Sequence, residues 1–258
     1  MAFYELSKEE RARKCAGIQN DIFCDLISGA YPSTCRYFDD ADTYIRKVAY
    51  LGVGRIYKTD AEIRENILLM LEKLMAEKSE RIRQTVINSC GEIAMLNFMA
   101  VEHLFISGLK DKHHAVKNAV QGSLKKSAEK NPQEVIPFCK KYILDDNPEI
   151  RRQVLHGLEL RGRTHPEDIL PLLRLLQFEK HTRVRSMLIH VMGQISYKKG
   201  CLEKVTGELI TWEDKMLADA CFNEIIKQHR HAYGHFKTVE IIPPAECEEY
   251  IIKRRNSI

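Results

Sequence analysis

Ten histidines and eight cysteines supply most of the side chains in this 258-residue chain that could ligate a metal or act as nucleophile or base. The cysteines are Cys15, Cys24, Cys35, Cys90, Cys139, Cys201, Cys221 and Cys247, with gaps of 9 to 62 residues and no C-x-x-C pair. Structural zinc sites pair cysteines closely and disulfide scaffolds pack them densely. These therefore read as reduced thiols used as small hydrophobes. His229, His231 and His235 have H-x-H-x3-H spacing, which could bring two imidazoles to one ion. A helix C-terminus closed by Gly234, whose dipole favours histidine, accounts for the same residues. His113-His114 reads as part of a turn. His156, His190, Glu92 and Glu159 carry metal-ligand atoms but stand in separate segments, so no metal and no cofactor is expected. G-x-S-x-G, G-x-x-x-x-G-K and G-x-G-x-x-G are absent, and Leu51-Gly52-Val53-Gly54 reads as a close-packing site inside a helix.

The elements that would position these side chains repeat. An apolar residue followed by a base recurs at Ile45-Arg46, Ile82-Arg83, Val116-Lys117, Ile150-Arg151 and Val184-Arg185, spaced 37, 34, 34 and 34. An acid stands five residues before each: Asp40, Glu77, Asp111, Asp145 and Glu179. Pro137 and Pro171 precede the last two anchors by thirteen residues. Each unit reads as two helices. Asn131-Pro132 with Glu134, and Thr164 with Pro166 and Glu167, predict helix starts. The second helix starts at the apolar-basic pair and keeps helical periodicity, as in Val184, Leu188, Val191 and Ile195. No stretch alternates with period two long enough for a sheet.

The acid, apolar-basic register with its upstream proline resembles the HEAT repeat over about residues 40–230. The resemblance implies an all-α fold, a right-handed α-solenoid of about six helical hairpins, with each turn acid pairing with a base of an adjacent repeat. The chain is expected to be one domain, with 1–39 as an N-terminal cap and 231–258 as a C-terminal tail. Ser7 and Glu10 form a capping box at the start. The unit near Trp212 departs from the register: Asp214-Lys215 replaces the apolar-basic pair and Leu209 replaces the acid. Over 131–205, Asp145-Asp146-Asn147-Pro148, Arg151-Arg152, His156-Gly157 and His165-Pro166 resemble the bacterial DNA-alkylation-repair group of HEAT-like proteins. That likeness implies DNA binding along a concave face and, in some members, excision of alkylated bases. Those enzymes surround the extruded nucleotide with tryptophans and an aspartate, whereas this chain has the single Trp212 and no Trp-Trp-Asp cluster.

Lys and Arg number 40 against 36 Asp and Glu, and residues 105–200 hold 18 of the bases and 10 of the acids, net +8. No run approaches the roughly 18 apolar residues of a membrane span. The start, MAFYELSKEERARK, lacks the apolar core of a secretory signal, so a cytoplasmic location is expected. On each second helix, positions three, six and ten after the anchor share a side. With the neighbouring bases they nominate Asn88, Glu92, Lys126, Arg152, Gln153, His156, Arg163, His190 and Gln194 as the concave binding face. The expected function is a non-enzymatic scaffold holding a macromolecular partner there. The alternative is a DNA-binding protein of the alkylation-repair type, recognising alkylated bases or acting on them as a glycosylase. A basic face would favour duplex DNA; a face of mixed charge would favour a protein partner.

Overall fold

The apolar anchors of the repeat sit two residues into a helix rather than at its start. The structure, a computed structural model, describes residues 3–235 and 240–255. The chain falls into two units, 1–134 and 135–258. Among the described residues the fold is all-α and built of HEAT-like helical repeats. After a 3-10 turn (Phe3–Glu5), the first unit contains α1 (Lys8–Ser28), α2 (Pro32–Phe38), α3 (Thr43–Thr59), α4 (Arg64–Met75), α5 (Glu80–Ala94), α6 (Glu102–Leu109) and α7 (His114–Lys130). Helix α8 (Pro132–Tyr142) carries the chain into the second unit. There follow α9 (Pro148–Gly157), α10 (Glu159–Gly162), α11 (Pro166–Arg174), α12 (Thr182–Gln194), α13 (Leu202–Leu209), α14 (Lys215–His235) and α15 (Pro244–Arg255). From α2 to α14 these succeed one another as six first-and-second helix pairs, with α10 an extra turn after α9.

In the first unit α5 packs between α3 and α7; in the second, α12 packs between α9 and α14. Second helices therefore form one layer in each unit, and the anchors Ile45, Ile82, Val116, Ile150 and Val184 are buried beneath it. Burial of each such side chain contributes about 1.5–3 kcal/mol. Close approach within the layer needs small residues: a Cβ on Gly54 would lie 2.5 Å from Glu92 Cβ across α3 and α5. Pro137 and Pro171 stand inside α8 and α11 as the repeat resemblance implies. The Ser7–Glu10 capping box is formed. Thr164 does not cap α11; His165 holds that position, without a side-chain cap hydrogen bond, and Pro166 opens the helix. Glu134 accepts from the Asn131 side chain at the start of its own helix, at 3.0 Å, and also from the backbone N–H of Phe98 and Met99.

The pairing of turn acids and helix bases is present at Arg83, Arg151 and Arg185, with added backbone contacts, whereas Arg46 bonds to the Asp40 and Ala41 carbonyls of its own turn. Arg83 donates to the carbonyls of Glu77 and Lys78 in its own turn and to both Asp111 oxygens in the next, at 2.7 and 3.1 Å. Arg151 does the same between Asp145 and Asp146 carbonyls and the Glu179 carboxylate. Arg185 contacts the Glu179 carbonyl and reaches Asp214 at 3.0 Å. Asp214 is thus the acid of the last unit. The buried anchor there is Leu217, followed by Ala218, which corrects the sequence register of Asp214-Lys215 and Leu209. A shorter final turn moved the acid closer to its helix.

Burial opposes ionisation of Asp111 and Glu179, yet the guanidinium and the N–H groups of His113 and His181 hold both carboxyls below their ordinary range. The Arg185 hydrogen bond does the same for Asp214. A depressed carboxylate contributes stability that is complete above its unfolded value, near 4, and lost as pH falls through the folded one. The side chains of Arg83 and Asp111 are only 8% and 7% exposed, so removing one partner strands a buried charge. Arg83→Ala should lower the unfolding free energy by about 3 kcal/mol or more at neutral pH. It should also flatten the loss of stability below about pH 4. Urea unfolding at two pH values checks both, and an unchanged midpoint would contradict the role given to this clamp.

Candidate functional site

Helix α9 is set by its start: Asn147 accepts from the Glu149 N–H and Pro148 supplies the first-turn φ. Ile150 and Val154 turn inward, which leaves Arg152 and His156 on the polar side. The chain then continues through the extra turn α10, and its first residue, Glu159, comes back under His156. On α12, Val184, Leu188 and Val191 are buried, while His190 and Gln194, one turn apart, share the opposite side. Gly193 lets α14 close on α12, since a Cβ there would lie 2.8 Å from the side chains of Gln228 and Glu224.

These elements join seven side chains in one network of the second unit. The Glu159 carboxylate is 3% exposed; one oxygen lies 2.9 Å from His156 Nε2 and 3.9 Å from His190 Nε2. Its other oxygen accepts from Arg163 Nη2 at 2.5 Å. The same Nη2 donates to Gln194 Oε1, and Gln194 Nε2 donates to Gln228 Oε1 at 2.6 Å. Gln228 is in turn bonded to Glu224. The two imidazoles meet edge to face with centroids 5.9 Å apart, and Arg163 lies over the Tyr197 ring. The buried Arg163 Nε has no hydrogen-bond partner.

A second cluster centres on Glu149, which accepts from Arg152 at 2.7 and 3.0 Å and from Gln153, with Arg183 at 3.7 Å. The Arg152 hydrogen bonds lead in lowering the Glu149 carboxyl to about 2, against its burial. Gln153, expected on the solvated face, is fully buried, and its Oε1 lacks a partner. Position three after the anchor faces into the helix layer here, not out of it.

In the first unit, Lys126 reaches Glu92 at 3.4 Å and lies over the Tyr50 ring. Burial, with Glu92 adding to it, pushes the Tyr50 hydroxyl up. Glu92 also edges an open cavity with Gly54, Arg55, Lys58 and Lys130. Asn88 is half-buried on α5, one turn before Glu92.

His156, Arg163, His190 and Gln194 are therefore brought together, Arg152 and Gln153 form the adjoining cluster, and Glu92 and Lys126 pair in the other unit. Glu149, Glu159 and Gln228 complete these groups although none was nominated for the binding face. The period itself signals one of them: Gln228 follows Gln194 by 34 residues, as His190 follows His156 and Lys126 follows Glu92. The separation of His156, Glu159 and His190 along the chain does not separate them in space, because α9 and α12 are neighbours. The other histidine motif does not converge. His229 is buried with its Nδ1 on the Ile225 carbonyl, and burial pulls its pKa down. His231 and His235 stack in the open, and α14 continues through Gly234 to His235. His113 caps α7 through Nδ1. Trp212 is wholly buried, donating to Glu208, and so faces no groove. All eight cysteines are free thiols; burial pushes those of Cys139 and Cys247 up to about 12. Among the described residues no helix is long and apolar enough to cross a membrane.

No family model matches the chain, and no curated protein does. Solved structures do match. AlkD2 from Streptococcus mutans has a TM-score of 0.54 at 14% identity, over 73% of this chain and 93% of that one. A chain of the Pds5–Scc1 complex has a TM-score of 0.50 at 14% identity, over 97% of this chain and 42% of that one. What is shared at such identity is the helical-repeat fold.

The Glu149 cluster gives a titration to measure. Its carboxyl should titrate near 2 in the intact protein, so this pair's stabilisation is complete above about 4.5 and fades as pH falls towards 2. In Arg152→Met the midpoint should rise towards the ordinary glutamate value. Carboxyl carbon NMR reads both, and an unmoved midpoint would show that Arg152 is not the cause.

Proposed function

We propose that this protein is a non-enzymatic scaffold that holds a protein partner on the polar face of its second helices. The observation that carries this reading is that the arginines of that face are already engaged. Arg152 is held by Glu149 and Arg163 by Glu159. Neutralising a phosphate backbone requires bases free to displace counterions. A face of paired arginines, imidazoles and amides instead suits the polar hydrogen bonding of a protein interface. The likeness to a chain solved in the Pds5–Scc1 complex supports the reading at the level of fold, since that chain is part of a protein complex. Free thiols throughout suit a reducing cytoplasm.

A second reading, duplex DNA as the partner, is favoured by one observation. Lys110, Lys112, Lys126, Lys140, Lys141 and Lys180 are exposed in the basic middle of the chain. The fold-level likeness to AlkD2 agrees with it. The burial of Trp212 speaks against base extrusion by this residue.

The test has two arms. Duplex DNA should bind no more tightly than about micromolar at moderate salt, the range of non-specific binding. A partner identified by cross-linking should bind the purified protein directly, at least tenfold more weakly to His190→Glu or Gln194→Arg and unchanged to Lys140→Glu. Tight DNA binding that falls linearly with log salt and is lost in Lys126→Glu/Arg183→Glu would replace the protein-scaffold reading with the DNA one.

A further inference from the structure

We infer that His156, Glu159 and His190 form a binding site for a divalent transition-metal ion, with zinc as the best match. Their ligand atoms, two imidazole nitrogens and a carboxylate oxygen, all lie within 4.8 Å of one another. Four-coordinate zinc holds nitrogen and oxygen at about 2.0–2.2 Å, which puts neighbouring ligand atoms about 3.4 Å apart. The Glu159 oxygen lies 2.9 Å from one Nε2 and 3.9 Å from the other, on either side of that spacing. A pair at the full 4.8 Å needs about 1.4 Å of closure, within reach of side-chain rotation, to bring all three to bonding distance. Two imidazoles with one carboxylate select zinc, cobalt, nickel, copper or ferrous iron over calcium and magnesium, which take oxygen ligands.

The surroundings are built for a fixed ligand set. Glu159 is 3% exposed, His156 17% and His190 41%, so the carboxylate is the floor and His190 the mouth. Arg163 holds the far oxygen of Glu159 and is itself tied to Gln194, which fixes the carboxylate's orientation as outer-shell partners of metal sites do. Three protein ligands leave a fourth position open towards solvent. Because Arg163 already balances Glu159, two neutral imidazoles add no charge to offset the ion. This inference stands apart from the scaffold reading: the site is formed whichever macromolecule binds nearby.

Cobalt(II) is the probe. The tag-free, full-length protein, stripped of metal by chelator, is titrated with cobalt and the visible d–d bands are followed, then displaced with zinc. One equivalent should bind, giving the intense bands of low coordination. His156→Ala and His190→Ala should each weaken binding at least tenfold, His190→Cys should restore it with an added thiolate band, and His231→Ala and Cys24→Ser should leave it unchanged. Because His190 is partly exposed, His190→Ala is expected to fold, and circular dichroism verifies it. Absence of saturable one-to-one binding, or binding that survives the His156→Ala/His190→Ala pair or vanishes with His231 or Cys24, overturns the assignment.

Discussion

The guanidinium clamp between successive turns is the interaction on which the rest of the structure depends. In each instance one planar fork satisfies the carbonyls that close a helix hairpin and the carboxylate that opens the next one. Five donors in a rigid plane allow both tasks at once, which a lysine ammonium could not do with the same direction. The clamp fixes the register of one second helix on the next. Residues about 34 apart consequently become neighbours, and side chains remote in sequence meet: Glu92 with Lys126, His156 with His190, Gln194 with Gln228.

The same interaction shapes the polar face chemically. In the second unit, arginines occupied by carboxylates stand beside imidazoles and amides on the polar side of the second helices. Local close approach then tunes it. Gly193 admits the Gln228 side chain, and the extra turn α10 returns a carboxylate beneath two imidazoles. A nearly buried Glu159 is sustained there by Arg163, which also aligns Gln194. Buried carboxylates persist when they are paired or coordinate cations.

Much of this was legible in the sequence, because the period is carried by residues with one job each. The buried anchors, the turn acids and the arginines after the anchors are fixed by chemistry that leaves few substitutes, so their spacing announces the hairpins. Glu159 was not legible as part of the binding face, since it lies past the end of α9 in a turn that the period does not describe. Gln153 misled for a related reason: helix geometry gives a side, but the tilt of neighbouring helices decides where that side meets solvent. The last unit was misread because its turn is shorter, which displaced Asp214 relative to Leu217. Trp212, the chain's single tryptophan, is buried and has a packing role.

The central claim is that repeat register brings two imidazoles together over the carboxylate that the extra turn α10 returns beneath them. Imidazole nitrogen NMR of His156 and His190 tests it most directly, because ring nitrogen shifts report what each Nε2 faces. The account expects the Nε2 signals of both residues to move in Glu159→Gln, the nearer His156 more than His190, with the Nε2 of His231 unmoved. Shifts confined to His156, or absent from both, would contradict a common site.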